Sequence, residues 1–414
     1  MRNDPSPTQT PTSIAVPVPV PNDLTDLTAL VALVACGGAT APRRRLLEAW
    51  ADPQAALDAG AAAWRACGLS GAQIAALRAP DPAAIARARR WLDDPNHHLV
   101  GWHDPDYPPL LRRSPAPPLA LFVAGDPARL WHPAVAVVGS RSPTPGGRDN
   151  AAVFARAFAA SGLAVASGMA AGIDTAAHLA TLESGGLTVA VLGTGPDVAY
   201  PRSNTRLHAQ IAEHGAVVSE HLPGTGPLRQ HFPSRNRILA GLALATVVIE
   251  AAQRSGALIT ARLAADAGRE VFALPGSIHN PLARGCHRLI RDGAGLVESP
   301  AEVVAALAPL AAQLAADLRL RLGAPITVGP VVTSSVLTKA THDDARTLNP
   351  DRSGSPENDP TYQNLWKALG HDPTGMDQLV QRTGLTPADL SSMLLLMELE
   401  GRVATQHGRY FRNR

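Results

Sequence analysis

Val135-Ala-Val-Val-Gly-Ser-Arg141 is the stretch whose reading decides the fold. Its four leading apolar residues make a run too short for a buried helix and suited to a strand covered on both faces. Gly139 permits a tight turn and a close backbone approach. Ser140 adds a hydroxyl, and Arg141 a planar cationic fork that fits phosphate oxygens. Ser142-Pro-Thr-Pro145 and Gly146-Gly147 then lead to a helix expected over 149–160. Exposed amides at a helix N-terminus favour an anion. Taken alone, the corner reads equally well as a phosphate site or as an ordinary strand-to-helix turn. GxGxxG is absent from it, which argues against a standard dinucleotide enzyme.

The same rhythm continues on both sides. Strands are expected at 119–123, 163–166, 187–192, 216–219, 246–249 and 270–274, with helices at 175–183, 205–213, 236–242 and 257–267. Short apolar strands between helices imply parallel pairing, and right-handed crossovers give a doubly wound, mostly parallel α/β sheet of Rossmann type. Ligands of such sheets sit at the strand carboxyl ends. This domain is read over 91–322. It begins with a Pro-rich connection to residue 130 and ends in an Ala/Leu helix over 301–322.

The flanks read differently. Residues 24–88 carry helix-spaced apolar positions broken by Gly37-Gly38, which fits a small all-α module. Residues 1–23 are rich in Pro, Thr and Ser and lack the basic start and apolar core of a signal peptide, so they read as a disordered tail of a cytoplasmic protein. Residues 323–359 are a Pro/Ser/Asp-rich linker. Residues 360–414 show three helical segments and a hairpin turning at His407-Gly408, the pattern of a winged helix.

Bulk composition limits the function. The chain has 414 residues and a net charge of only +2, so any basic surface must be local. Its two lysines, Lys339 and Lys367, leave Arg to supply nearly all the positive charge. Cys36, Cys67 and Cys286 form neither a disulfide framework nor a metal-binding CxxC, which fits a reducing compartment. No run of 18 apolar residues argues for a membrane span. HExxH, GxSxG and the P-loop pattern are absent, so no catalytic, metal or cofactor residue is assigned. Cys286-His287 is too bare of supporting groups to read as a thiol nucleophile.

The remaining strand ends repeat the chemistry of the first. Ser167-Gly168 opens a small-residue loop that runs to Asp174, with His178 one turn further on. A helix cap and a packed histidine describe that pair better than a catalytic dyad. Arg235, Asn236 and Arg237 cluster ahead of the apolar Ile238 and read as phosphate or base contacts at a helix start. Ser255 and Gly256 open a further helix.

Together these loops resemble the DNA-processing protein A family, also written DprA or Smf. The resemblance rests on Gly139-Ser-Arg141, Ser167-Gly-x-Ala-x-Gly-Ile-Asp174, Tyr200-Pro-x-x-Asn204 and Phe232-Pro-x-Arg-Asn-Arg237. It extends through Glu250-Ala251, Ser255-Gly-x-Leu-Ile-Thr260, Pro275-Gly276 and Leu289-Ile-x-x-Gly293. It implies a binding protein that takes up incoming single-stranded DNA in natural transformation and loads the RecA recombinase, acting as a homodimer and not as an enzyme. The family's basic pocket maps onto Arg141 and onto Arg235-Asn236. His287 stands where the family often has Asn. The expected interface is therefore Gly139, Ser140, Arg141, Ser167, Gly168, Arg235, Asn236, Arg237, Ile238, Ser255, Gly256 and His287, with bases lying against Ile238. In the winged helix, six Lys/Arg stand against five Asp/Glu from Thr361 to Arg414, which argues against strong DNA binding there.

Two rival readings remain. A nucleotide phosphoribohydrolase of related fold would need PGGxGT, whereas Pro145-Gly-Gly147 runs on into Arg-Asp-Asn. A sequence-specific regulator would act through the winged helix.

Overall fold

The computed structural model describes residues 24–50, 52–322, 359–370, 373–406 and 408–412. The tail expected over 1–23 and all but Asp359 of the linker expected over 323–359 lie outside them. The chain divides into two units, residues 1–85 and 86–414.

The first unit is helical: α1 (Leu24–Ala35), α2 (Thr40–Trp50), α3 (Pro53–Asp58), α4 (Gly60–Ala66), α5 (Gly71–Arg78) and the start of α6 (Pro82–Leu92). Leu30, Leu33, Leu46 and Leu47 form its core. Buried Arg43 donates to the carbonyls of Leu33, Val34 and Gly38, closing the C-terminal end of α1.

The second unit carries the sheet. Its strands are β1 (His97–Gly101), β2 (Ala120–Gly125), β3 (Ala134–Val138), β4 (Ala164–Ser167), β5 (Thr188–Val191), β6 (Ala216–Ser219), β7 (Ala245–Val248), β8 (Glu270–Ala273) and β9 (Gly295–Leu296). They are ordered β1-β2-β6-β5-β4-β3-β7-β8-β9. Pairing is parallel from β6 through β9, and antiparallel where β2 meets β1 and β6. Strands therefore wind outward from β3 in both directions, and the crevice of such a sheet opens at the β3 and β7 carboxyl ends. Along β3, Val135 and Val137 face one core layer with Phe154 and Phe158. Ala136 and Val138 face the other, with Ile238 and Leu239.

The helices between are α7 (Pro109–Arg112), α8 (Pro145–Ala160), α9 (Ile173–Glu183), α10 (Thr205–His214), α11 (His231–Leu242), α12 (Gly256–Asp266), α13 (Arg284–Arg291) and α14 (Pro300–Leu322). Two of them, α8 and α11, start a full turn or more earlier than the sequence suggested. Thr144 caps α8 and tolerates Pro145 and Gly146-Gly147 in the first turn. Pro233 stands in the first turn of α11, where its missing N–H costs nothing. That places Arg235, Asn236 and Arg237 inside the helix and not at its tip.

α14 is long and apolar enough to cross a membrane by length and composition. Its Val303, Leu307 and Leu314 instead pack into the core layer beside α8.

The C-terminal domain holds α15 (Pro360–Leu369), β10 (Thr374–Gly375), α16 (Met376–Thr383), α17 (Pro387–Leu399), β11 (Val403–Gln406) and β12 (Arg409–Arg412). Asp359 belongs to it as the cap of α15. Left-handed Gly384 ends α16. Leu365, Leu379, Leu390 and Met397 close a core of their own under the hairpin.

Candidate nucleic-acid interface

A cleft of about 390 Å3 opens at the carboxyl ends of β3 and β7. Gly139, Arg141, Arg235, Asn236, Ser255 and Gly256 line it, joined by Ala170, Asp174, Phe232, Ile259 and Thr260. Ser140, Ser167, Gly168, Arg237, Ile238 and His287 lie outside its lining.

Its rim is open. Arg141 is exposed and makes no ion pair among the described residues. Its guanidinium lies 5.8 Å from the Phe232 ring centroid, within cation–π range. Phe232 in turn meets Tyr200, with ring centroids 5.2 Å apart, and Tyr200 is 41% exposed. Across the cleft, Ser255 caps α12 by accepting from the Ala257 amide, and Gly256 is exposed at the helix end.

The floor is closed. Arg235 is buried under the cleft and donates to the carbonyls of Gly168, at 2.8 Å, and Val191. A Cβ at Gly168 would meet that guanidinium at 2.6 Å, so any side chain there would have to displace Arg235 from its carbonyls. Burial pulls the arginine down to about 10, against the attraction of Asp174, and it stays charged at neutral pH. Burial pushes the Asp174 carboxyl up, against the pull of Arg235, while it accepts from the Gly168 and Ala170 amides. Asp174 therefore ties down the loop before its helix and does not cap its own. Met169, in the left-handed region at φ 56°, is held by Asn204 of the Tyr-Pro-x-x-Asn motif, which donates to its carbonyl at 2.9 Å.

The anion site expected at α8 is filled from within. Glu250, at the end of β7, accepts from the Thr144 amide at 2.9 Å and the Thr144 hydroxyl at 2.6 Å. Buried Asn280 donates to it at 3.2 Å. A Cβ at Gly147 would overlap the same carboxylate. The position that holds a pyrophosphate in a dinucleotide-binding Rossmann fold is thus taken by the protein's own anion.

Several expected contacts need correcting on these grounds. Ile238 is fully buried in the core and offers no face to a base. Arg237 is paired with Glu220 and donates to the Ala116 carbonyl. Ser167 is buried and donates to Val137. His287 sits by Gly276, whose carbonyl lies 3.0 Å from its Nε2.

His178 is fully buried against Thr188, and burial together with Arg235 holds it down to about 3. His221 stacks on His231 with centroids 3.9 Å apart. Burial, His231 and Arg237 hold it down to about 4. Burial raises the Cys286 thiol to about 12, so it carries no thiolate.

Phe232, Tyr200 and Glu250 were not singled out from sequence. All three stand inside quoted motifs, and for the two aromatics the scarcity of a chain with only six Phe and four Tyr was the available signal.

Fold and cleft define a Rossmann-type α/β protein with a polar, glycine-lined crevice and an appended winged helix. The chain belongs to the DNA recombination-mediator protein A family, whose profile matches residues 98–308, while residues 349–409 match the DprA winged helix domain. Protein Smf of Synechocystis is 38% identical over 318 residues, covering 75% of this chain and 79% of its own. DNA processing protein DprA of Streptococcus pneumoniae is 49% identical over 188 residues, 45% of this chain and 66% of its own. The X-ray structure of the pneumococcal protein superposes with a TM-score of 0.59 at 36% identity, covering 67% of this chain and 97% of that one.

Proposed function

We propose that this chain binds single-stranded DNA in the β3/β7 cleft, without catalytic turnover, and passes it to the RecA recombinase during natural transformation. In this reading the protein is cytoplasmic and works as a homodimer through its Rossmann domain. Its interface includes Gly139, Ser140, Arg141, Asn236, Ser255 and Gly256. Membership of the DNA-processing family supports the biological role, and the cleft supports the chemistry.

The observation that carries the reading is the contrast between a filled nucleotide position and an open rim. With Glu250 seated at α8, a mononucleotide or dinucleotide loses the helix end that would hold its phosphates. Arg141 remains exposed beside an aromatic pair, the combination that suits a backbone phosphate next to an unstacked base. Arg235 contributes positive potential from beneath without touching the strand. One protomer then makes few phosphate contacts, and two protomers on one strand gain by effective concentration.

Binding of single-stranded and duplex oligonucleotides at two salt concentrations tests the reading, with Arg141→Ala alongside. Single strands should bind more tightly, with a salt slope that falls in the variant. Equal affinity of parent and variant for single strands would sink it.

A further inference from the structure

A second cleft, of about 730 Å3, lies between the start of α8 and the winged helix. The winged helix is nearly neutral in total charge, and the fold gathers cations on one face. Lys367 of α15, Arg382 of α16 and Arg412 of β12 face this cleft together with Arg148 of α8, against a single carboxylate, Asp149. Arg382 pairs with Asp149 at 2.7 Å and so joins the two walls. It also donates to the Ala368 carbonyl. Arg412 donates to the Trp366 carbonyl and lies 4.5 Å from that ring's centroid. Arg148 and Lys367 are exposed and pair with no carboxylate among the described residues. Once Asp149 and Arg382 neutralise each other, the lining carries three cations and no anion.

The two clefts share one connection. Gly139 and Arg141 line the first, and Ser142, Pro143, Thr144 and Pro145 line the second. Arg141 and Arg148 are seven residues apart, at most about 25 Å even for an extended chain. That is a reach of several nucleotides. A polyanion leaving Arg141 therefore meets Arg148 and Lys367 next, and the one carboxylate of this lining, Asp149, is paired with Arg382.

We propose that the cleft between α8 and the winged helix is a second binding segment for the same single strand, gripping its phosphates through Arg148 and Lys367. The inference rests on single-strand binding at the first cleft. The winged helix then lengthens the site and reads no sequence, because a Lys and an Arg on phosphates carry no base information.

Oligothymidylates of two lengths test this on the full chain. One of about 6 nucleotides fills the first cleft, and one of about 15 reaches the second. The parent should bind the longer strand at least tenfold more tightly. Arg148→Ala with Lys367→Ala should abolish that gain and lower the salt slope by about 1.4, two single-strand phosphates. Binding of the short strand and the thermal midpoint should stay unchanged, since both side chains are exposed. The charge-keeping pair Arg148→Lys with Lys367→Arg should restore the gain. If the double alanine variant keeps parental affinity and salt slope on the long strand, this inference falls and the first cleft stands. Loss of duplex binding alone in that variant also overturns it. A parent that binds neither length overturns both readings.

Discussion

The floor and the rim of the first cleft each carry an arginine, finished in opposite ways. On the floor, Arg235 and Asp174 are buried, as are Glu250 and His178 outside the lining, and each is bonded to loop backbone or to a neighbouring side chain. On the rim, Arg141 is exposed and Gly256 opens directly to solvent. The lesson is that charge in a cleft does not by itself mark a ligand contact. A buried charge must be paired by the protein, because an unpaired one costs several kcal/mol. Only a charge the protein leaves exposed can be satisfied by something else. Floor substitutions should therefore be felt in stability, and rim substitutions in binding.

The largest effect is expected at Glu250. Glu250→Ala leaves the Thr144 amide, the Thr144 hydroxyl and the Asn280 amide group without their acceptor. Leaving buried donors without an acceptor costs about 1–3 kcal/mol each, so a loss of several kcal/mol is expected. Urea denaturation should show a midpoint shift of that order, with Glu250→Gln in between. A variant as stable as the parent would mean that the α8 end is an open anion site after all, and the distinction between floor and rim would break there.

Next in size is acid sensitivity. His178 and His221, held down to about 3 and about 4, are neutral in the fold, yet each takes a proton near pH 6.5 once unfolded. The unfolded chain therefore binds more protons in that interval. The stability they support is complete above about pH 6.5 and is lost as pH falls toward 4, by up to about 1.4 kcal/mol per pH unit for each histidine. His178→Asn keeps a donor for Thr188 and removes the titration, so stability measured from pH 7 to pH 5 should fall less steeply, while His221 and the burial-lowered His98, His132 and His208 keep the rest of the slope. An unchanged slope would exclude His178 as its source.

Arg141→Ala comes third and belongs to the rim. Single-strand affinity should fall about thirtyfold, about 2 kcal/mol for a charge-assisted contact, with the urea midpoint unmoved. A stability loss without a binding loss would assign Arg141 to the floor.

Much of this fold was legible because short apolar runs punctuated by glycine have few other readings. Val135 to Val138 stood out as a strand, and Gly139-Ser140-Arg141 as its loop, from local pattern alone. β1 was missed because His97-His98 interrupts an edge strand that is only half covered. The start of α11 was missed because Pro233 reads as a breaker, although a first-turn proline is tolerated. That one error moved Arg235 and Ile238 from the core to the surface in the reading. The role of Glu250, quoted only as part of a motif, was hidden for a different reason. Its partner Thr144 is 106 residues away, and no local periodicity reports so distant a pairing.

The smallest predicted effect separates the two kinds of rim contact. Phe232 lines the cleft beneath Arg141 and beside half-open Tyr200. Phe232→Leu keeps apolar bulk at the start of α11 and removes the aromatic face. A base stacked there should then bind about fivefold more weakly, about 1 kcal/mol, at the low end of base–aromatic stacking. Stacking releases no counterion, so the salt slope should not change. Arg141→Ala, by contrast, should lower the slope by about 0.7, one single-strand phosphate. Affinity titrations of a short oligothymidylate at several salt concentrations measure both quantities for both variants. If Phe232→Leu changes the slope as Arg141→Ala does, the ring acts only by holding the guanidinium in place. The aromatic pair would then support a phosphate grip and would not be a platform for the base.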